Sequence, residues 1–349
     1  DISLVAPSTD ILGDSRPSPS GSNPDIGAYE NSSSEIVYNP NKYVSVNGNN
    51  GNLGIITDPW RDIQYAINQS QDGDIIHVAE GTYFESITNL PSNLTILGEG
   101  FNTVIDAQGL GASVIHAETG TVIKHLTVKN GSATEGGGIL INNEENVVLV
   151  GLHVTSNFAT HGGGIYSSFS NLNISDCIIE DNSGGYGAGF YLGANSETDM
   201  DNVVIRDNVA TYQGGAIATH TAGVTMDRSI ISGNSSGDYG GAVMLELSTM
   251  DMINVTVVDN SSENFGVVYL ANQGSTLNLL NTTLTDNLPS QIGFHSDQNA
   301  NTVNSNYSNI EGGQNGIISN AGTVNWNNGS IDVDPMFVDA ENDDFNLLA

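Results

Sequence analysis

Asp and Glu make up 40 of the 349 residues, against 7 Lys and Arg, so the chemistry open to this chain depends on where carboxylates gather. Asp332, Asp334, Asp339, Asp343 and Asp344 crowd into one short irregular segment near the C-terminus. Such a density of hard oxygen ligands suits a cation of the calcium type. Ca2+ is the one cofactor these residues point to, and nothing in the sequence requires it. Asp181, Asp207, Asp259 and Asp286 each stand immediately before an asparagine. Paired aspartates act as acid and base in glycoside hydrolysis, but a catalytic set is irregular and confined to one place. These recur at a fixed interval, which makes them solvated turn residues able to collect Ca2+ weakly.

The cations are too scattered to build an anion-binding cleft. Arg16, Lys42 and Arg61 lie early in the chain, Lys124 and Lys129 precede its regular part, and Arg206 and Arg228 hold different positions within it. His77, His116, His125, His153, His161, His220 and His295 show no metal-ligand spacing. Cys177 is alone, which excludes a disulfide framework and reads as a buried structural thiol. Phrases such as Gly162-Gly163-Gly164 lack the Lys-Ser/Thr of a phosphate loop, and they recur. A formal net charge of −33 repels phosphate backbones and anionic lipid, so no nucleic-acid partner is expected. No apolar run approaches the roughly 20 residues of a bilayer span, so no membrane insertion is expected either. No residue takes a catalytic or cofactor-binding assignment, and the balance leans against an enzyme.

What must position these groups is a repeat. Asn157, Asn182, Asn208, Asn234, Asn260 and Asn287 are spaced by 25, 26, 26, 26 and 27 positions, the interval of a stacked architecture whose units bury their apolar faces on one another. Three positions before them stand Val154, Ile179, Ile205, Ile231, Val257 and Leu284; eight before stand Leu149, Ile174, Met200, Met226, Met252 and Leu279. These wholly apolar columns point inward. Leu152, Cys177, Val203, Ser229, Val255 and Thr282, five before, are mostly inward. Gly151, Asp176, Asn202, Arg228, Asn254 and Asn281, six before, mark a bend or an outward position. Short β-branched runs broken by Gly, Asn, Asp and Ser read as strands and tight turns. Three strands and three turns per coil, coils about 4.8 Å apart, make a parallel β-helix. The asparagines are expected in the left-handed backbone region with side chains bonding the next coil. Tyr186, Tyr212, Tyr239 and Phe265 read as an aromatic ladder between coils, with sugar binding on the rings as the lesser reading.

Ahead of the repeats, Asp58-Pro59-Trp60-Arg61-Asp62-Ile63-Gln64-Tyr65-Ala66-Ile67 carries an N-cap Asp, Pro at the first helical position and an apolar face. It predicts a short helix covering the open end of the stack.

Residues 42–90, with Tyr43-Val44-Ser45, Pro59-Trp60-Arg61-Asp62-Ile63 and Gly81-Thr82-Tyr83, resemble the opening of the right-handed pectate-lyase-like β-helix superfamily. Polysaccharide lyases on that fold use carboxylate-held Ca2+ and an Arg or Lys base, a set this chain's scattered cations do not assemble. Residues 130–290, as in Gly214-Gly215-Ala216-Ile217 with Ile231-Ser232-Gly233-Asn234, resemble the repeat of polymorphic outer-membrane protein adhesins, with Val, Ile or Leu where those favour Phe. Pro24-Asp25-Ile26-Gly27-Ala28-Tyr29-Glu30 at the start, and Asp334-Pro335-Met336-Phe337-Val338-Asp339 at the end, resemble consecutive closing phrases of large secreted bacterial β-helix proteins, here in reversed order. That order implies a tandem array, or copies joined head to tail through residues 1–35 of one and 330–349 of the next.

The expectation is therefore an all-β chain: a right-handed single-stranded parallel β-helix with coils of about 26 residues and a short N-terminal capping helix. Residues 1–39 form a connecting segment, 40–75 the cap, 76–338 the β-helix and 339–349 a tail. The expected function is an extracellular or cell-surface structural or adhesive module, in a filament or a giant tandem surface protein. The alternative is a carbohydrate-active enzyme, lyase or hydrolase, or a sugar-binding β-helix, with polysaccharide as partner.

Overall fold

The period of about 26 residues is realised as parallel coils laid on one another. A computed structural model describes residues 38–340 and 344–347, apart from 109, 273 and 296–299. Two compact units divide the chain, Asp1–Pro40 and Asn41–Ala349. Of the first only 38–40 are described, so the expected contact through residues 1–35 lies outside the described residues.

In the second unit, three sheets run the length of a right-handed parallel β-helix. The first has 12 strands, from Asn41–Val44 to Thr323–Trp326, and the second has 10, from Gly81–Tyr83 to Asn309–Ile310. The third has 13 strands because it is folded on itself. In one coil, Asn171–Ser175 belongs to the first sheet and Ile178–Glu180 to the second; Ser183–Tyr186 and Phe190–Leu192 are two limbs of the third. The predicted three strands per coil thus become four. The recurring glycine phrases, such as Gly162-Gly163-Gly164, are the bend between the two limbs. Gly162 takes φ +67, and a Cβ on Gly163 would lie 2.3 Å from the Ser183 carbonyl oxygen, so only small residues let the limbs turn this tightly.

All three apolar or mostly inward columns are buried, from Leu149 and Val154 to Leu279, Leu284 and Thr282, and one continuous core threads the tube. Gly151, Asp176, Asn202, Arg228, Asn254 and Asn281 form the predicted bend, with φ between 47° and 61°. The asparagine column is corrected by one residue. The left-handed position belongs to Ser156, Asp181, Asp207, Gly233, Asp259 and Asp286, at φ 55–65°, which explains the recurrent aspartates without catalysis. The asparagines that follow point inward as a ladder. Asn208, for example, donates from Nδ2 to Asn234 Oδ1 at 2.9 Å, and its Oδ1 accepts the Asn182 backbone N–H at 3.0 Å.

The capping helix is shorter than expected, Ile63–Asn68 with Asp62 at the N-cap. Asp58 instead closes a turn, its N–H donating to the Ile55 carbonyl, and Pro59 follows that turn ahead of the helix. The helix start is capped from a distance: Glu85 Oε1 and Oε2 accept the N–H groups of Ile63 and Gln64 at 2.8 and 2.7 Å. Trp60, Ile63, Ala66 and Ile67 close the end of the core. After the last coil, the strand Phe337–Asp339 pairs antiparallel with Asp344–Leu347. Phe345 is buried, and with Asp344 it borders a depression shared with Arg228, Ile230 and Thr256. The C-terminal hairpin therefore lies against the flank of the stack.

Candidate functional site

On the outer face of the first sheet, parallel in-register pairing puts outward side chains into two straight files. One file runs Val122, Val148, Asn173, Asp199, Thr225, Asp251, Asn278, Asn304, Asn325. Its neighbour runs Tyr43, His77, Leu97, Lys124, Val150, Ser175, Asp201, Asp227, Ile253, Leu280. Twelve strands at about 4.8 Å make a face roughly 50 Å long.

Its chemistry changes along the axis. At the N-terminal end Tyr43 and His77 stack at 4.7 Å and 12°, and they line a depression of about 520 Å³ with Ile56, Pro59 and Leu97. The middle is acidic. Asp199, Asp201, Asp227 and Arg228 surround a shallow depression of about 350 Å³, and Glu197, Thr221, Leu247 and Asp251 border a second of about 330 Å³ that shares Thr225 with it. Farther along, amides bond in series: Asn278 to Asp251 at 2.6 Å, Asn304 to Asn278 and Asn325 to Asn304 at 2.7 Å.

Arg228 is the cation of the acidic stretch. It lies 2.5 Å from Asp201 and 3.1 Å from Asp227, and its side chain is 60% exposed. Exposed pairs of this kind contribute little to stability; what Arg228 does is offset the repulsion of two carboxylates on adjacent strands. Among the described residues no bond occupies the Asp199 carboxylate, so it is available to accept hydroxyl hydrogens from a ligand. Asp199 and Asp201, two residues apart on one strand face, have Cα atoms about 7 Å apart.

Sequence reasoning missed this stretch. Its signal was present: Asp199 and Asp201 flank Met200, Asp227 follows Met226 and Asp251 precedes Met252, so the inward column of methionines carried an outward one of carboxylates.

The residues singled out from sequence fall elsewhere. Asp332 accepts the Gly312 N–H at 3.2 Å, and Asp334 accepts the Met336 N–H at 2.8 Å. Asp339 and Asp344 belong to the C-terminal hairpin, and Asp343 lies outside the described residues. Among the described residues no group of three His, Cys, Asp or Glu has metal-site geometry. Arg206 and Arg228 are separated as expected, Arg206 lying on the second sheet. There Glu180 bonds Arg206 Nε at 2.6 Å and His153 Nε2 at 2.7 Å. Burial pushes Glu180 upward, but the bonds and charges of Arg206 and His153 outweigh it and hold its pKa below the usual glutamate value. Burial pushes the Cys177 thiol up to about 12, which agrees with a structural thiol.

The aromatic run is not one column, but its rings meet in pairs between coils, Tyr186 with Tyr212 at 5.1 Å and Tyr239 with Phe265 at 5.6 Å, both tilted. Tyr186 is in register with Gln213, and Gln213 with Tyr239, while Tyr212 stands beside that column. Phe265 takes the bend position of Gly240, at φ 53. Rings still stack between coils, His161 on Tyr186 at 5.3 Å and Tyr166 on Tyr191 at 5.5 Å, along the crease of the third sheet. No helix among the described residues is long and apolar enough to cross a membrane.

Comparison with known proteins agrees with this architecture. Residues 69–223 match the sequence model of the family described as right handed beta helix region. Among solved structures, pectate lyase Pel9A is similar with a TM-score of 0.55 at 13% identity, over 85% of this chain and 82% of that one. A protein of Geobacillus virus E2, ORF18, gives 0.52 at 13% identity, over 81% of this chain and 59% of that one, so this chain spans less than two thirds of the viral protein. At such identities the likeness is one of fold. No curated protein sequence matches this chain.

Proposed function

We propose that this chain is an extracellular adhesive β-helix module that binds a linear polysaccharide along the outer face of its first sheet. The reading is carried by the in-register files there, which set an aromatic pair, carboxylates and amides in line at intervals of about 4.8 Å. A polymer of repeating hydroxyl-bearing units is the ligand class whose own periodicity can use such a row. The acidic middle and the net charge of −33 favour neutral or amino-bearing polymers over polyuronates. The similarity to a pectate lyase supports the fold for this reading and leaves the ligand to experiment. Affinity electrophoresis against xylan, galactomannan, chitosan and polygalacturonate, the last with and without Ca2+, tests it. Retardation by a neutral or amino polymer, reduced in Asp199→Asn/Asp251→Asn, is the expected result; equal mobility in every gel contradicts it. Release of sugar fragments in the same mixtures would move the reading to a carbohydrate-active enzyme. Ca2+ binding at the C-terminal aspartates is a separate proposal, tested by a calcium-dependent thermal shift that chelator reverses.

A second reading, head-to-tail association of copies, is favoured by the unequal ends. Trp60 and the helix cover one end. At the other, Thr323–Trp326 ends the first sheet among the described residues, with Ile331, Val333 and Met336 exposed nearby. Electron microscopy of the full chain tests it: filaments that disappear on removal of residues 1–35 support it, and monodisperse single particles of the full chain refute it.

A further inference from the structure

One turn, between the third sheet and the first, holds its residue in the left-handed backbone region in each successive coil from Asn143 to Asn272. Asn143, Phe169, Asn195, Thr221, Leu247 and Asn272 occupy it in successive coils, all with φ between 47° and 64°. Asparagine tolerates this left-handed region because its short amide bonds locally, whereas aromatic, β-branched and γ-branched side chains meet the backbone there and are strained. Phe169, Thr221 and Leu247 accept that strain without burial in return. Phe169 is 53% exposed, Leu247 is 48% exposed, and Thr221 is exposed as well. Core packing therefore does not account for them.

Their placement does. Thr221 and Leu247 border the depression that Glu197 and Asp251 also line, and Phe169 precedes Asn171–Ser175, the strand that carries Asn173 and Ser175 into the adjacent depression. The three departures from asparagine thus lie beside the acidic stretch, with Asn195 between Phe169 and Thr221 and Asn143 and Asn272 at the outer ends of the column. Strained residues held outward beside a polar surface are a recurring feature of ligand sites.

We infer that Phe169, Thr221 and Leu247 form an apolar rim subsite that receives the carbon-bound hydrogen face of sugar units while the carboxylates of the sheet accept their hydroxyls. The subsite rests on the polysaccharide reading above and adds to it a chemical division of the groove: one wall apolar, the floor acidic. It also fixes the side of the face over which the polymer lies, toward the third sheet.

The test uses the full chain and the neutral or amino polysaccharide it retards best. Phe169→Asn and Leu247→Asn each relieve the backbone, so each raises the thermal midpoint by about 1–3 °C, yet weakens binding at least about fivefold. Leu247→Ala removes the side chain while keeping a residue disfavoured at positive φ, so it weakens binding without raising the midpoint. If the wild type binds and the asparagine variants bind equally well, the subsite is overturned and the polysaccharide reading stands. If they lower the midpoint, strain is not what this column carries and the inference falls. If the wild type binds nothing in the panel, the polysaccharide reading itself has failed and takes the subsite with it.

Discussion

Replacing Asn208 with alanine attacks the ladder that ties coil to coil. Asn208 is fully buried. Its Nδ2 donates to Asn234 Oδ1, to the Ile179 carbonyl and to the Arg206 carbonyl, each at 2.9 Å. Its Oδ1 accepts the N–H and the Nδ2 of Asn182, each at 3.0 Å. Alanine leaves the buried Asn182 N–H without its acceptor, which costs about 1–3 kcal/mol, and the cavity adds roughly 1 kcal/mol. A loss of about 2–4 kcal/mol is expected, read as a shift of the urea midpoint by far-UV circular dichroism. Asn173→Ala on the exposed outer face should stay within about 0.5 kcal/mol. Asn208→Asp sharpens the test, because a carboxylate would face three oxygen acceptors where an amide donated. It should destabilise more than alanine at neutral pH. Its buried carboxyl has a raised folded pKa, so the penalty shrinks as pH falls through that value and protonation restores a donor. A cost for Asn208→Ala no larger than for Asn173→Ala would refute the reasoning.

Three further outcomes follow from the same geometry. Arg206→Met removes the main counterion of Glu180; a depressed folded pKa stabilises above the unfolded value and that stability is lost as pH falls through the folded one, so the variant's acid-unfolding midpoint should move to higher pH. Cys177, with its thiol pushed up to about 12 and its Sγ donating to the Ser175 carbonyl at 3.1 Å, should resist alkylation at pH 8 in the native protein and react fully in urea; native-state labelling at the rate of free cysteine would contradict this. Trp60→Ala opens the capped end and breaks the Nε1 bond to the Asn52 carbonyl. A cost of about 3–5 kcal/mol is expected, seen as faster amide exchange in Ile75–Val78 before Thr276–Leu280.

The inward half of each coil was legible because burial imposes a strict column: Val154 to Leu284 and Leu149 to Leu279 cannot vary in polarity without disrupting the tube. The outward half was not, since exposed positions tolerate many residues. Asp199, Asp227 and Asp251 become one surface only when register is known. The left-handed turn was misplaced by one position because Asp and Asn both tolerate it, and only geometry shows Asp181 bending outward while Asn182 turns in. The fold in the third sheet hid behind glycines that also serve as ordinary turn residues. The helix start was misread because its cap, Glu85, comes from 21–22 residues farther along the chain, past two strands, and leaves no local signal.

The most direct test of the account is amide hydrogen exchange with and without the best-bound polysaccharide. Slowed exchange concentrated in Asn171–Ser175, Glu197–Asp201, Gly223–Asp227 and Thr249–Ile253, and in the turns holding Phe169, Thr221 and Leu247, is what the account predicts. Protection confined instead to the second sheet or to the crease of the third, with those four strands unchanged, would contradict it.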